Sequence, residues 1–237
     1  MRITMIGHST VLIEMNRQKI ITDPYFGTWG HIAYKRLAPP AKTREELRDV
    51  DLVLISHNHW DHIDRKYLRL LPKDVPIMAP HLTAWITRLV GARSVTGMKP
   101  WEEKQFGELK ITAVPAFHVT KTTGYIIQGE QKQVYFAGDT YYGSFMEKIG
   151  NRYNLDAALI PVTTFRIPMT MGEKSAVKAI SKLKPAMVIP IHLGVIPRSP
   201  LLRTSQTPLG FEKRIREAGL KTRVVILKEG ESYAQNG

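Results

Sequence analysis

Apolar residues along the chain gather in short runs with strand-like or helix-like spacing. Val11–Met15 and Lys19–Thr22 are two β-rich runs around Asn16-Arg17, a pairing that suits a hairpin. Asp51–Ser56 is almost wholly apolar, as expected of a strand buried on both faces, and it runs straight into His57. The spacing predicts a helix over Arg65–Leu71 ending before Pro72, a strand over Val75–Ala79, and a helix over Leu82–Val90 closed by Gly91. Glu102–Ala116 reads as a hairpin turning at Gly107. Tyr125–Gln128 and Gln133–Ala137 read as another, turning near Gly129.

Beyond Asp139 the pattern changes. Phe145–Ile149 is weakly helical, and Ala157–Pro161 is a further buried strand. Ser175–Leu183 carries apolar residues at 176, 177, 180 and 183, an amphipathic helix that ends before Pro185. Met187–Ile191 is a strand that ends, again, at a histidine, His192. A proline-rich loop follows, then a helix around Phe211–Ala218 and a strand over Arg223–Leu227. Hairpins dominate the first half and βαβα order the second, so the expected class is α/β with mixed sheets.

Composition narrows the chemistry. At 237 residues the chain fits one domain spanning 1–237, large enough to bury an ordinary core. Cysteine is absent, which excludes disulfides, thiol nucleophiles and thiolate-bound metal. Lys plus Arg exceed Asp plus Glu by 34 − 21 = 13, a balance that favours anionic partners or a merely basic surface. The basic residues are dispersed, so a nucleic-acid-binding arm is not expected. No run approaches a transmembrane span and no leader is visible, which makes the cytoplasm the expected compartment.

The densest chemistry is His57-Asn58-His59-Trp60-Asp61-His62, directly after the buried strand. Imidazole with carboxylate is the donor set for zinc, manganese, iron or nickel. Alternation would point His57 and His59 one way, with Asp61 and His62 reaching a second point. A chance H-x-H-x-D-H in a chain with eight histidines would occur about 3 × 10⁻⁴ times, so coincidence is a poor account of it. His118, Asp139 and His192 each stand near the end of another strand and complete a set of seven candidates.

In this order the motifs resemble those of the metallo-β-lactamase-fold hydrolases, over nearly the whole chain. "GHSTVLIE", "ITDPYF" and "LISHNHWDHID" are most similar to the branch containing ascorbate-6-phosphate lactonase and N-acylphosphatidylethanolamine-hydrolysing phospholipase D. The resemblance implies an αββα sandwich of two mixed sheets, with the site at one edge between them. It implies that His57, His59 and His118 hold one divalent metal, that Asp61, His62 and His192 hold a second, and that Asp139 bridges. Zinc is the first expectation for the pair of metals, with manganese, iron and nickel compatible. A shared hydroxide would attack an ester, lactone or phosphodiester, with Asp61 orienting it or passing a proton to the leaving group. The resemblance also places Asp23 behind the histidines as an acceptor that fixes their tautomer, although a turn residue before Pro24 would look the same.

Other candidates are weaker. His8 reads either as a substrate contact at the rim or as a hydrogen-bonded turn residue. Arg198 and Arg203 lie in the loop after His192, where they could meet the anionic part of a small substrate, while Lys121 and Arg166 have the same chemistry with solvated surface as the alternative. Tyr141, Tyr142, Phe165 and Met169 could line a pocket or pack a core. His31 and His81 show no pattern. A metallo-nuclease is the alternative enzyme and a non-catalytic metal-binding scaffold is the alternative of another class.

Overall fold

The structure is a computed structural model that describes residues 1–28, 33–129 and 131–235. Its first half contains β1 (Arg2–Gly7), β2 (Thr10–Met15), β3 (Gln18–Thr22), β4 (Tyr34–Arg36), β5 (Leu52–Leu54), α1 (Arg65–Leu70), β6 (Ile77–Pro80), α2 (His81–Leu89) and β7 (Val95–Met98). The antiparallel strands β8 (Glu103–Phe106), β9 (Leu109–Pro115), β10 (Thr123–Gln128) and β11 (Gln133–Phe136) follow. Then come α3 (Phe145–Arg152), β12 (Ala157–Pro161), α4 (Glu173–Leu183), β13 (Met187–Ile191), β14 (Val195–Pro197), α5 (Pro208–Glu217), β15 (Arg223–Val224) and β16 (Ser232–Ala234).

Two seven-stranded mixed sheets result, ordered β16-β1-β2-β3-β5-β6-β7 and β15-β13-β12-β11-β10-β9-β8. Alternation along the strands explains why they stack. Ile3, Met5, Val11, Ile13 and Ile20 of one sheet meet Leu109, Ile111, Val134, Phe136 and Ile189 of the other in a shared inner core. Residues of opposite parity point outward. Leu12, Ile21 and Val53 pack under α1 and α2, and Tyr135, Ala158 and Val188 pack under α3, α4 and α5. This is the expected αββα sandwich. A slip of one residue in any of these strands would exchange its two faces, so the register is strongly specified.

The turn at Asn16 and Arg17 has positive φ at both residues (50° and 61°), the conformation a two-residue hairpin needs, and pairs Met15 with Gln18. The last helix starts at Pro208, earlier than its apolar spacing suggests, because the Thr207 hydroxyl caps the Gly210 N–H. Arg223–Leu227 narrows to a two-residue ladder on β13. Several strands have no strong pattern of their own. β4 is the polar run Tyr-Lys-Arg, and it exists because β14, inside the stretch expected to be loop, pairs with it. β16 is likewise held by pairing with β1. No helix among the described residues is long and apolar enough to cross a membrane.

Helices α3 and α4 meet at Gly150, where an added Cβ would strike the Lys182 carbonyl oxygen and lie 2.9 Å from Leu183 Cα. Replacing Gly150 by Ala therefore costs stability despite alanine's better helix propensity. We expect a loss of about 1–3 kcal/mol, the scale of overpacking, as a lower thermal midpoint. An unchanged or higher midpoint would show that the helix pair can separate freely.

Candidate metal centre

Strand direction gathers the chemistry at one edge. β1, β3 and β5 run the same way in the first sheet, as do β9, β11 and β13 in the second. All six end where the candidates stand. His8 follows β1, Asp23 follows β3, His57 to His62 follow β5, and His118, Asp139 and His192 follow β9, β11 and β13. Loops beyond carboxyl ends of strands are where open α/β sheets can present side chains without disturbing the ladder. Three of these residues hold a left-handed backbone despite having a Cβ, namely His8 (φ 60°), Asp23 (34°) and His192 (60°). Such conformations cost roughly 1–3 kcal/mol each and are stabilised by their surroundings. Gly138, also left-handed at φ 57°, lets the loop before Asp139 lie against Ser56, because a Cβ there would collide with the serine side chain.

The donor atoms form two adjoining groups whose members all lie within 4.8 Å of one another. One comprises His57, His59, His118 and Asp139, the other His8, Asp61, His62 and His192. Asp139 stands between them. Its Oδ2 is 3.1 Å from His192 Nε2, 3.9 Å from His118 Nε2 and 4.0 Å from His57 Nε2, and its Oδ1 is 3.5 Å from His62 Nε2.

Hydrogen bonds behind the rings decide where their protons sit. Asp23, wholly buried, accepts from the Ser56 N–H through Oδ1 (2.6 Å) and from the Ser56 hydroxyl and His62 Nδ1 through Oδ2 (both 2.6 Å). The Ser56 hydroxyl thus donates to Asp23 and accepts from His57 Nδ1 at 2.9 Å. His8 Nδ1 donates to the Leu193 carbonyl at 3.2 Å, an oxygen that can only accept. All three rings therefore carry the proton on Nδ1 and turn an Nε2 lone pair toward the cluster. The Nε2 atoms of His8, His57 and His62 and Oδ1 of Asp139 are buried with no hydrogen-bond partner. Unpaired buried acceptors are costly, and several converging on one volume fit a cation held among them. His118 Nε2 and His59 Nδ1 lie 3.3 Å apart, close to the edge of a tetrahedron whose metal–nitrogen bonds are about 2.0–2.1 Å. Both groups fit divalent metal. The further combination of Asp23 with His57 and His62 does not, since both oxygens of Asp23 are already engaged.

Electrostatics favour neutral imidazoles at His8, His57, His59 and His118 beside ionised carboxylates. Burial, reinforced by neighbouring imidazoles, pushes His118 and His8 down to about 4 and His57 well below its usual value. Burial opposes ionisation of Asp139 and Asp61. The surrounding histidines, His192 and His62 foremost for Asp139 and His62 and His8 for Asp61, nevertheless hold both carboxyls well below the ordinary range. His62 moves the other way. Burial disfavours its cation, yet Asp139, Asp23 and Asp61 together raise it, so three carboxylates draw positive charge to this ring.

A cavity of about 210 Å³ opens over the groups, with His59, Asp61, Asp139 and His192 on its floor. Tyr34, Trp60, Phe165, Met169 and Val195 form its walls. Tyr34 stacks on Phe165 (centroids 5.1 Å apart) and on Trp60 (6.3 Å), so the wall is a continuous aromatic layer. Phe165 and Met169 had a sequence signal. Tyr34 and Trp60 had none, because their meeting depends on β4 pairing with β14 across the mouth.

The substrate-contact residues fare differently. His8 is not at a rim. It is 1% exposed and lies under Asp61, drawn in by the Leu193 carbonyl. Arg203 turns back to the carbonyls of Pro197 (3.0 Å) and Arg198 (3.1 Å), and neither it nor Arg198 lines the cavity. Arg166 is directed to Leu201 O. Lys121 lines a separate groove of about 850 Å³ that borders His118 and also includes Lys99 and His81. Tyr141 and Tyr142 line a third depression, with the Tyr141 ring 6.0 Å from that of His118. His31 lies outside the described residues.

Residues 18–193 match the family described as Beta-lactamase superfamily domain. A UPF0173 metal-dependent hydrolase of Methanopyrus kandleri is 32% identical over 98% of this chain and 99% of its own length. Igni18, a metallo hydrolase of Ignicoccus hospitalis, has a structure that superposes with a TM-score of 0.81 at 26% identity over 99% of both chains. An isothiocyanate hydrolase from Delia radicum gut bacteria shares the fold at a TM-score of 0.83 and 21% identity, again over 99% of both chains. With the fold, the converging donor groups and these relatives together, the chain belongs to the β-lactamase superfamily, among its UPF0173 metal-dependent hydrolases.

Proposed function

We propose that the chain is a binuclear hydrolase of small esters, lactones or phosphodiesters that carry an apolar substituent. In this reading His57, His59 and His118 hold one divalent ion, Asp61, His62 and His192 hold a second, and Asp139 is shared. Five imidazoles with two carboxylates suit zinc best among manganese, iron, nickel and zinc. Bound there, such ions would supply a hydroxide at neutral pH and Lewis acidity toward a carbonyl or phosphoryl oxygen. The observation that carries the reading is the convergence of unpaired buried Nε2 atoms of His57 and His62 on Asp139, directly behind the floor of an aromatic-walled cavity.

The chain's own residues divide the remaining work. Asp61 faces the cavity and stays ionised, so it accepts a hydrogen bond and orients the attacking water; a carboxyl held so low makes a poor proton donor to a leaving group. Tyr34, Trp60 and Phe165 exclude water and grip an apolar group beside the scissile bond. No Lys or Arg is among the described lining residues, which favours this substrate over one with a phosphate next to the reacting atom. A second reading keeps an anionic substrate by extending it past His118, with its far charge against Lys99 and Lys121. In that case Lys121→Ala raises KM for anionic substrates alone.

A panel of metal-loaded assays separates these readings. We expect turnover of aryl or alkyl esters or lactones, and a loss of about 2- to 10-fold in kcat/KM for Trp60→Ala at unchanged metal content, the scale of one aromatic contact. Full metal occupancy with no turnover across esters, lactones and phosphodiesters would instead support the non-catalytic scaffold.

Asp23 gives an independent prediction. Asp23→Asn should weaken metal affinity about 10- to 100-fold, because the amide NH2 cannot accept and would face one of the donors that the two carboxylate oxygens now satisfy, the Ser56 N–H or the Ser56 hydroxyl with His62 Nδ1. Chelator competition measures it. Unaltered affinity would mean that the buried carboxylate serves the fold only.

A further inference from the structure

His8 has the same arrangement of protons and lone pairs as His57 and His62. Its Nδ1–H is committed to the Leu193 carbonyl, so Nε2 presents a lone pair. Asp61 Oδ2 lies 3.2 Å from that nitrogen, yet Nε2 has no hydrogen-bond partner, so the carboxylate stands beside the ring axis and not on it. Two acceptors at that distance, the nitrogen buried and the carboxylate only partly exposed on the cavity floor, repel unless positive charge lies between them. His62 and His192 border the same volume, with ring centroids 5.3 Å and 4.2 Å from that of His8. The backbone also fixes the ring there: the His8 carbonyl accepts from the His192 N–H at 3.1 Å, which ties the turn after β1 to the end of β13. A substrate contact would need access from the cavity, and His8 has none.

We infer that His8 is a further protein ligand of the metal position formed by Asp61, His62 and His192, an inference that rests on the binuclear reading above. With Asp139 shared, that position then has five protein donors, whereas His57, His59 and His118 with Asp139 supply four. The asymmetry has a functional consequence. The second position would have fewer places left for a substrate oxygen than the four-donor position, while residues of both groups reach the cavity floor.

The test uses His8→Asn, since asparagine tolerates the left-handed backbone at this position, and His8→Gln, whose amide can donate a hydrogen bond to Asp61 but ligates poorly. Metal content, chelator competition and the visible absorption of the Co²⁺-loaded protein are measured, with thermal melting as the check on folding. Wild-type protein should bind two ions. Both variants should retain one and lose affinity for the other by about 10-fold or more, with a cobalt spectrum shifted toward lower coordination number. Two ions bound with wild-type affinity and an unchanged cobalt spectrum in both variants would overturn the His8 assignment and leave the binuclear reading standing. Rescue by His8→Gln alone would reduce His8 to a hydrogen-bonding prop for Asp61, which also overturns it. A wild-type protein that takes up no Co²⁺ would fail both readings together.

Discussion

The site depends on where a few protons are placed. Asp23, Ser56 and the Leu193 carbonyl take the Nδ1–H groups of His62, His57 and His8 directly or in relay, and this leaves the opposite nitrogens free. Without that constraint each ring could turn its N–H inward, and the cluster would be a set of mutually satisfied hydrogen bonds. With it, buried acceptors face one another across a volume that suits a cation. The cost in strained backbone at His8, Asp23 and His192 is absorbed by two sheets whose inner core fixes the strand ends.

Those strand ends matter because each sheet contributes half of the chemistry. Asp23 and the His57–His62 segment leave the first sheet, whereas His118, Asp139 and His192 leave the second. The sheets are tied near the centre as well. The Tyr125 hydroxyl on β10 donates to Ile55 O beyond β5 at 2.9 Å, and the Thr123 N–H donates to Ser56 O at 3.0 Å. Relative movement of the two sheets would therefore break the donor groups before it opened the core. This links the stability of the sandwich to the geometry of the site, and it explains why a residue as plain as Gly138 is needed at the contact with Ser56.

Much of this was legible in the residues. The His57–His62 segment is dense enough to exclude chance, and an apolar run ending at His or Asp marks each remaining member of the expected set. What escaped depends on partners remote in sequence. His8 stands alone in the chain, and its position is set by Leu193, 185 residues away. The β4–β14 ribbon has neither alternation nor length, so the aromatic wall that it carries at Tyr34 left no local trace. Arg203 differs from its expected place for a related reason: the carbonyls of Pro197 and Arg198 accept from its guanidinium, and a charge count cannot see them.

Net charge likewise says little about the lining of the cavity. The excess of 13 basic residues is spread over the surface, and none lines the cavity among the described residues. The cavity presents an aromatic wall and a donor floor, and in the proposed function a pair of metal positions lies there with Asp139 shared. Elemental analysis of the purified protein after metal loading and gel filtration tests this most directly. The account predicts close to two transition-metal ions per folded chain, while a folded chain that retains none, or that stops at one under saturating metal, would contradict it.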